Sequence, residues 1–88
     1  MTTPRTQIDG PQHPMIEFGA VVRRRRRAIG FSQQKLGERC GLTQEYISGI
    51  ERGMRKPTLK SIWTLAGGLE VSPGDLLLEA EGIMDSKM

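Results

Sequence analysis

Residues 31–53 read FSQQKLGERCGLTQEYISGIERG, and the spacing within this stretch decides the fold. Leu36 and Cys40 stand four apart and Ile47 and Ile50 three apart, so each pair marks the inward face of a short helix. Between them Gly41-Leu42-Thr43 interrupts both patterns. The glycine stands where a left-handed residue ends one helix, and the threonine where a hydroxyl accepts the orphan N–H groups of the next. Gly37 supplies a small residue where helices must approach closely. The stretch predicts two short helices at a fixed angle, joined by a three-residue turn, with the second exposed along one side.

The same punctuation runs outward in both directions. Gly30, Gly53 with Pro57, and EVSPGD at 70–75 break the remaining chain into segments with helical apolar spacing. Ser32, Thr43, Thr58 and Ser72 stand at N-cap positions, and Ser72 is followed by Pro73 at the first helical position and Asp75. The predicted helices cover roughly 16–29, 33–40, 44–51, 59–68 and 73–79, and no alternating pattern competes, so the fold class is all-α with five helices. Residues 1–14 hold three prolines and few apolar side chains, which predicts a disordered N-terminal arm. The folded domain is expected over 15–80, followed by a flexible tail over 81–88. Leu59, Ile62, Leu65, Ala66, Leu69, Val71, Leu76 and Leu77 are expected to complete the core.

Eighty-eight residues suit one domain, and the net charge of +3 hides an uneven distribution. Between Ile16 and Pro57 ten Lys/Arg face four Asp/Glu, whereas from Thr58 onward two basic residues face five acidic ones. A basic front with an acidic back fits a polyanion on one side only, with nucleic acid as the first candidate and a membrane surface the second. Cys40 is the only cysteine, so no thiolate cluster can hold a metal, and the only histidine, His13, lies in the Pro/Gly-rich arm. No cofactor or metal is expected. With no Cys/His pair and no phosphate-binding glycine loop, an enzyme is excluded as a reading. No apolar run approaches a membrane span and no signal-peptide pattern opens the chain, so a soluble, cytoplasmic protein is expected.

Arg23 to Arg27 form an unbroken basic run inside the first helix. At about 100° per residue, with Arg23 at 0°, Phe18, Val21, Val22 and Ile29 fall between roughly 160° and 260°. Arg23 and Arg27 then point away from the apolar stripe, and Arg24 lies to one side. Arg25 falls within the stripe, where its methylenes would cover the core edge while its guanidinium reaches solvent or a carboxylate. Arg26 sits on the boundary. A nuclear-targeting reading would need an exposed flexible run, which a packed helix denies.

Taken with FG at 18–19, the arginine run, PTLKSI at 57–62 and EVSPGDLL at 70–77, the opening stretch resembles the Cro/C1-type (XRE-like) helix-turn-helix domain of phage repressors and small bacterial regulators. YISGIERG, PTLKSI and the short length look like restriction–modification controller proteins in particular. The resemblance implies a lambda-repressor-like five-helix bundle whose third helix enters the major groove of double-stranded DNA. The helical positions allow this, because Ile47 and Ile50 face inward and leave Gln44, Glu45, Ser48, Gly49 and Arg52 outward. Gln44 is the best base reader, since an amide can both donate to and accept from adenine, and Ser48 stands beside it. Glu45 either accepts from a cytosine amino group or is a solvated first-turn carboxylate. Tyr46 either touches a thymine methyl or sugar, or packs half-buried. The resemblance also places phosphate contacts at Gln33, Thr43, Arg52, Arg55 and Lys56, has Gln33 cap the second helix and touch Gln44, and pairs Arg26 with Glu51. Gly49 departs from many relatives, which carry a long basic or polar residue there.

Trp63 and the run Leu76–Leu78 hold more apolar surface than one small bundle needs. Family members dimerise through this region, so a homodimer is expected to use Trp63, Leu69, Leu77 and Leu78 and to read a palindromic operator. The alternative for Trp63 is completion of the monomer core. The functional expectation is a transcriptional regulator, the controller of a restriction–modification operon. Its alternatives are an antitoxin-type autorepressor whose back face binds a toxin, and a protein-binding adaptor on the same scaffold. Contact with RNA polymerase, and activation versus repression, stay open at this point.

Overall fold

The computed structural model describes residues 14–86, with side chains as far as residue 83. Five helices follow in order: α1 Pro14–Ala28, α2 Gln33–Cys40, α3 Gln44–Glu51, α4 Leu59–Leu69 and α5 Pro73–Ser86. Among the described residues there is no strand. The expected arm, with His13, lies outside the described residues apart from Pro14, which opens α1.

At eight residues each, α2 and α3 are too short to hold together alone in water. Their ends are fixed locally. Ser32 Oγ accepts from Lys35 N at 2.9 Å and Thr43 Oγ1 from Tyr46 N at 3.0 Å. Thr58 and Ser72 do the same for Ser61 N and Asp75 N, both at 3.0 Å, so all four expected hydroxyl caps form. Gly41 takes φ +70°, and the Leu42 N–H turns back to Gly37 O at 2.9 Å, which closes the tight turn between α2 and α3. Gly37 is needed for space: a Cβ there would come within 2.5 Å of Leu42 O. At the end of α4 the same reversal is made by Glu70, the one non-glycine with positive φ among the described residues.

Packing supplies the rest. α1 rests against α3 and α5, α2 against α3 and α4, and α4 also meets α5. The enclosed core is Phe18, Val21 and Val22 of α1, Leu36 of α2, Ile47 and Ile50 of α3, Leu65, Ala66 and Leu69 of α4, and Leu76 and Ala80 of α5. α1 and α3 touch through backbone at Gly19, where a Cβ would collide with Ile50 O.

Several expectations change. Ile29 is exposed, because α1 ends at Ala28 and the chain turns before the helical spacing can carry it inward. Leu59, expected in the core, is exposed; of the two residues expected both in the core and at the interface, Leu77 is exposed and Leu69 is core, only 2% exposed. Leu69 follows Leu65 and Ala66 at helical spacing and shares their buried side, whereas Leu59 and Trp63 lie four apart on a side left open. Trp63, 57% exposed, does not complete the monomer core. α5 runs seven residues past its expected end at 79, through the segment read as tail. Leu76, Ala80 and Ile83, at i, i+4 and i+7, continue one apolar stripe against the core.

The arginine run divides as the helical wheel anticipates. Arg23 and Arg27 are exposed. Arg24 Nη2 donates to Glu79 Oε1 at 3.0 Å, and Arg25 donates to the other oxygen of Glu79, clamping α1 to α5. These donors, Arg25 first, hold the Glu79 carboxyl below its usual range against the opposing effect of burial.

Candidate nucleic-acid interface

Arg26 and Glu51 orient the third helix. Arg26 Nε donates to Glu51 Oε2 at 2.6 Å and Nη2 to Oε1 at 3.0 Å, a bidentate pair with side chains 9% and 2% exposed. Arg26 Nη1 donates to Phe31 O at 2.7 Å, so the same guanidinium also holds the loop between α1 and α2. The hydrogen bonds to Glu51 raise the Arg26 pKa above its ordinary value, with burial opposing. Gln33 Nε2 adds a third donor to Glu51 at 3.0 Å. One carboxylate therefore ties α1, α2 and α3 together.

Gln33 was expected to cap α2 and to touch Gln44. The cap is Ser32, and the Gln33 amide is directed to Glu51. Gln33 and Gln44 nonetheless share one surface: Gln33, Gln44, Glu45, Ser48 and Arg52 line a single open, mostly polar groove along the outer side of α3. Gln44 and Ser48 stand one helical turn apart, and Glu45 occupies the first turn, where the helix dipole favours a carboxylate. Thr43, Arg52, Arg55 and Lys56 are exposed around its two ends.

For two α3 residues the structure shows a packing role. Tyr46 is half-buried, and its hydroxyl lies 3.0 Å from Ser61 Oγ, which in turn meets Thr58 Oγ1 at 2.9 Å. That chain fixes α3 against the start of α4, in keeping with the packing reading of Tyr46. Gly49, read from sequence as outward, is buried, because the aliphatic stem of Arg55 crosses it.

The helix-turn-helix family matches residues 22–76, from within α1 to the first turn of α5. This chain is a helix-turn-helix transcriptional regulator of the Cro/C1 type. The regulator is 44% identical over 61 residues to control protein C.BamHI of Bacillus amyloliquefaciens, covering 68% of this chain and 75% of that one. It is 39% identical over 59 residues to the uncharacterized HTH-type transcriptional regulator y4dJ of Sinorhizobium fredii, covering 67% and 77%. Among solved structures it resembles the restriction–modification controller protein C.AhdI of Aeromonas hydrophila, with 39% identity, TM-score 0.69, and 70% of this chain and 94% of that one covered. Among the described residues of the regulator no helix is long and apolar enough to cross a membrane, and no cluster of His, Cys, Asp or Glu could hold a metal ion.

Sequence reasoning missed three contributors to this site in the regulator. Gly19 lets α1 reach the end of α3. Ser61 holds Tyr46. The seating of Arg55 on Gly49 joins residues on either side of the α3 terminus, and helical periodicity carries no signal for a loop residue that folds back.

Proposed function

We propose that this regulator binds a roughly palindromic operator as a two-fold homodimer and controls a restriction–modification operon. The observation that carries the reading is the groove that gathers Gln33, Gln44, Glu45, Ser48 and Arg52 on the outer side of α3. With α3 in the major groove, Gln44 and Ser48 meet base edges, and Glu45 accepts from a cytosine amino group or excludes bases lacking a donor. Gln33, Thr43, Arg52, Arg55 and Lys56 then face the phosphates on either side, setting register and salt dependence without carrying much sequence information. Tyr46 supports the helix from behind.

Support for a second copy comes from Leu59 and Trp63 of α4 and Leu77 and Leu78 of α5, all exposed in the single chain. An isologous contact through them would set two copies of α3 about one DNA turn, roughly 34 Å, apart. The restriction–modification role is supported by the likeness to C.BamHI and C.AhdI. Footprinting on the DNA upstream of its own gene, at two salt concentrations, tests the reading. Two protected half-sites about one turn apart are expected, with protection weakening as salt rises. Protection that ignores salt or sequence would refute it. Sedimentation tests the assembly, where a monomer mass at every concentration would remove the homodimer; stable co-purification with a different small protein would favour an antitoxin-type autorepressor over a controller.

A further inference from the structure

Gly49 sits in the middle of the helix that faces DNA, a position where glycine weakens a helix relative to alanine. It is not among the described residues with positive φ, so backbone conformation gives no reason for it. Space does. A Cβ built there would overlap Arg55 Cγ and lie 3.4 Å from its Cβ and 3.5 Å from its Cδ. The Arg55 stem therefore lies in the notch that the missing side chain leaves. The backbone holds it there too, since Gly49 O accepts from Met54 N at 2.8 Å and from Arg55 N at 3.2 Å. Arg55 as a whole stays exposed, and its charged end has no hydrogen bond or ion pair among the described residues, while its stem is fixed. Gly49 follows Ser48 and lies four residues after Glu45, so the notch borders the groove.

We propose that Gly49 is a positioning residue: it seats Arg55 against α3, so that an arginine from the following loop serves the DNA at a position where a side chain of the helix itself would otherwise stand. The inference rests on the DNA-binding reading above. Holding the stem removes part of the rotamer freedom a loop arginine would lose on binding.

The test is a double-mutant cycle with Gly49→Ala and Arg55→Ala, measured on a duplex selected by the wild-type protein from a randomised double-stranded DNA library. Arg55→Ala should weaken binding roughly tenfold and reduce the salt slope by about 1.8, the loss of one phosphate contact from each of the two subunits. Gly49→Ala should weaken binding roughly three- to tenfold, with a melting temperature no lower than wild type because alanine favours the helix. In the Arg55→Ala background the same change should alter affinity less than about twofold, since the residue acts through Arg55. Wild-type affinity in Gly49→Ala overturns the proposal while leaving DNA binding intact. A full additional loss in the Arg55→Ala background also overturns it, by showing that the new methyl group meets the DNA directly. A wild-type protein that selects no duplex removes the DNA-binding reading and this inference with it.

Discussion

Replacing Arg26 with alanine should be the most damaging single change in the arginine run. Glu51, its side chain 2% exposed, would lose both guanidinium hydrogen bonds, and Phe31 O would lose its donor. Breaking a buried ion pair from one side costs about 3–5 kcal/mol, because the remaining charge stays desolvated without its partner. Gln33 Nε2 still donates to Glu51 Oε1, which places the loss near the lower end, about 3 kcal/mol. For a domain of this size each kcal/mol shifts melting by about 4–8 °C, so Arg26→Ala should melt roughly 12–24 °C below wild type. Arg23 is exposed, with no hydrogen bond or ion pair among the described residues, and its removal should stay within about 0.5 kcal/mol. Thermal and urea unfolding followed by far-ultraviolet circular dichroism compares the two variants directly. Adding Glu51→Gln to Arg26→Ala should restore part of the loss, since a neutral amide is cheaper to bury than a carboxylate. Equal melting temperatures for Arg26→Ala and Arg23→Ala would refute the reasoning.

The other expectations concern the edges of the bundle. Glu79→Gln should cost up to about 1 kcal/mol at pH 7 in low salt, the range for partly exposed ion pairs, and less in high salt. Because the Glu79 carboxyl is held below its ordinary range, that difference is fully present above the unfolded-state pKa and disappears as pH falls through the folded one; a pH series of denaturation midpoints reads it. Tyr46→Phe should lose about 1 kcal/mol of stability with the Ser61 hydrogen bond and leave DNA affinity of the folded protein unchanged in a gel shift. Loss of affinity with unchanged stability would return Tyr46 to the DNA surface. Leu69→Ala should cost about 2–5 kcal/mol in unfolding experiments as a core truncation. Leu78→Ser should leave the fold nearly intact and shift sedimentation towards the monomer.

The sequence specifies α2 and α3 to the residue because each has a hydroxyl cap at its start and an inward apolar pair, and Gly41 ends α2. It says less about α4, where Leu59, Ile62, Trp63, Leu65 and Leu69 place apolar side chains around most of the circumference. Such a helix does not declare which side faces inward: Leu59, expected in the core, lies on the open side, and Leu69, expected both in the core and at the interface, lies in the core alone. The second half of α5 was hidden by Gly82 and by three acidic residues, although Ala80 and Ile83 continue the buried stripe. Within the site, Gln44, Glu45, Ser48 and Arg52 were legible because the face they share is what Ile47 and Ile50 leave over. Gly49 was not, since an absent side chain gives no sign of what fills its place.

The arrangement around α3 explains how an eight-residue helix can present side chains at fixed positions. Ile47 and Ile50 hold its inner face, Glu51 locks its last turn to α1 and α2, and Tyr46 ties its flank to Ser61. Of these ties only Gln33 also lines the groove, so the side chains of Gln44, Glu45, Ser48 and Arg52 remain outward without bearing structural load. A helix ordered before it meets its ligand avoids part of the conformational cost of binding. The frame and the reading face are therefore separable by experiment. Changes at Arg26, Glu51 or Tyr46 should lower DNA occupancy only in proportion to the fraction unfolded, whereas changes at Gln44 or Ser48 should lower it in a fully folded protein. Comparing affinity with melting temperature for the same set of variants assigns each α3 residue to one role or the other, and Gly49 alone is expected to lose affinity while gaining helix stability.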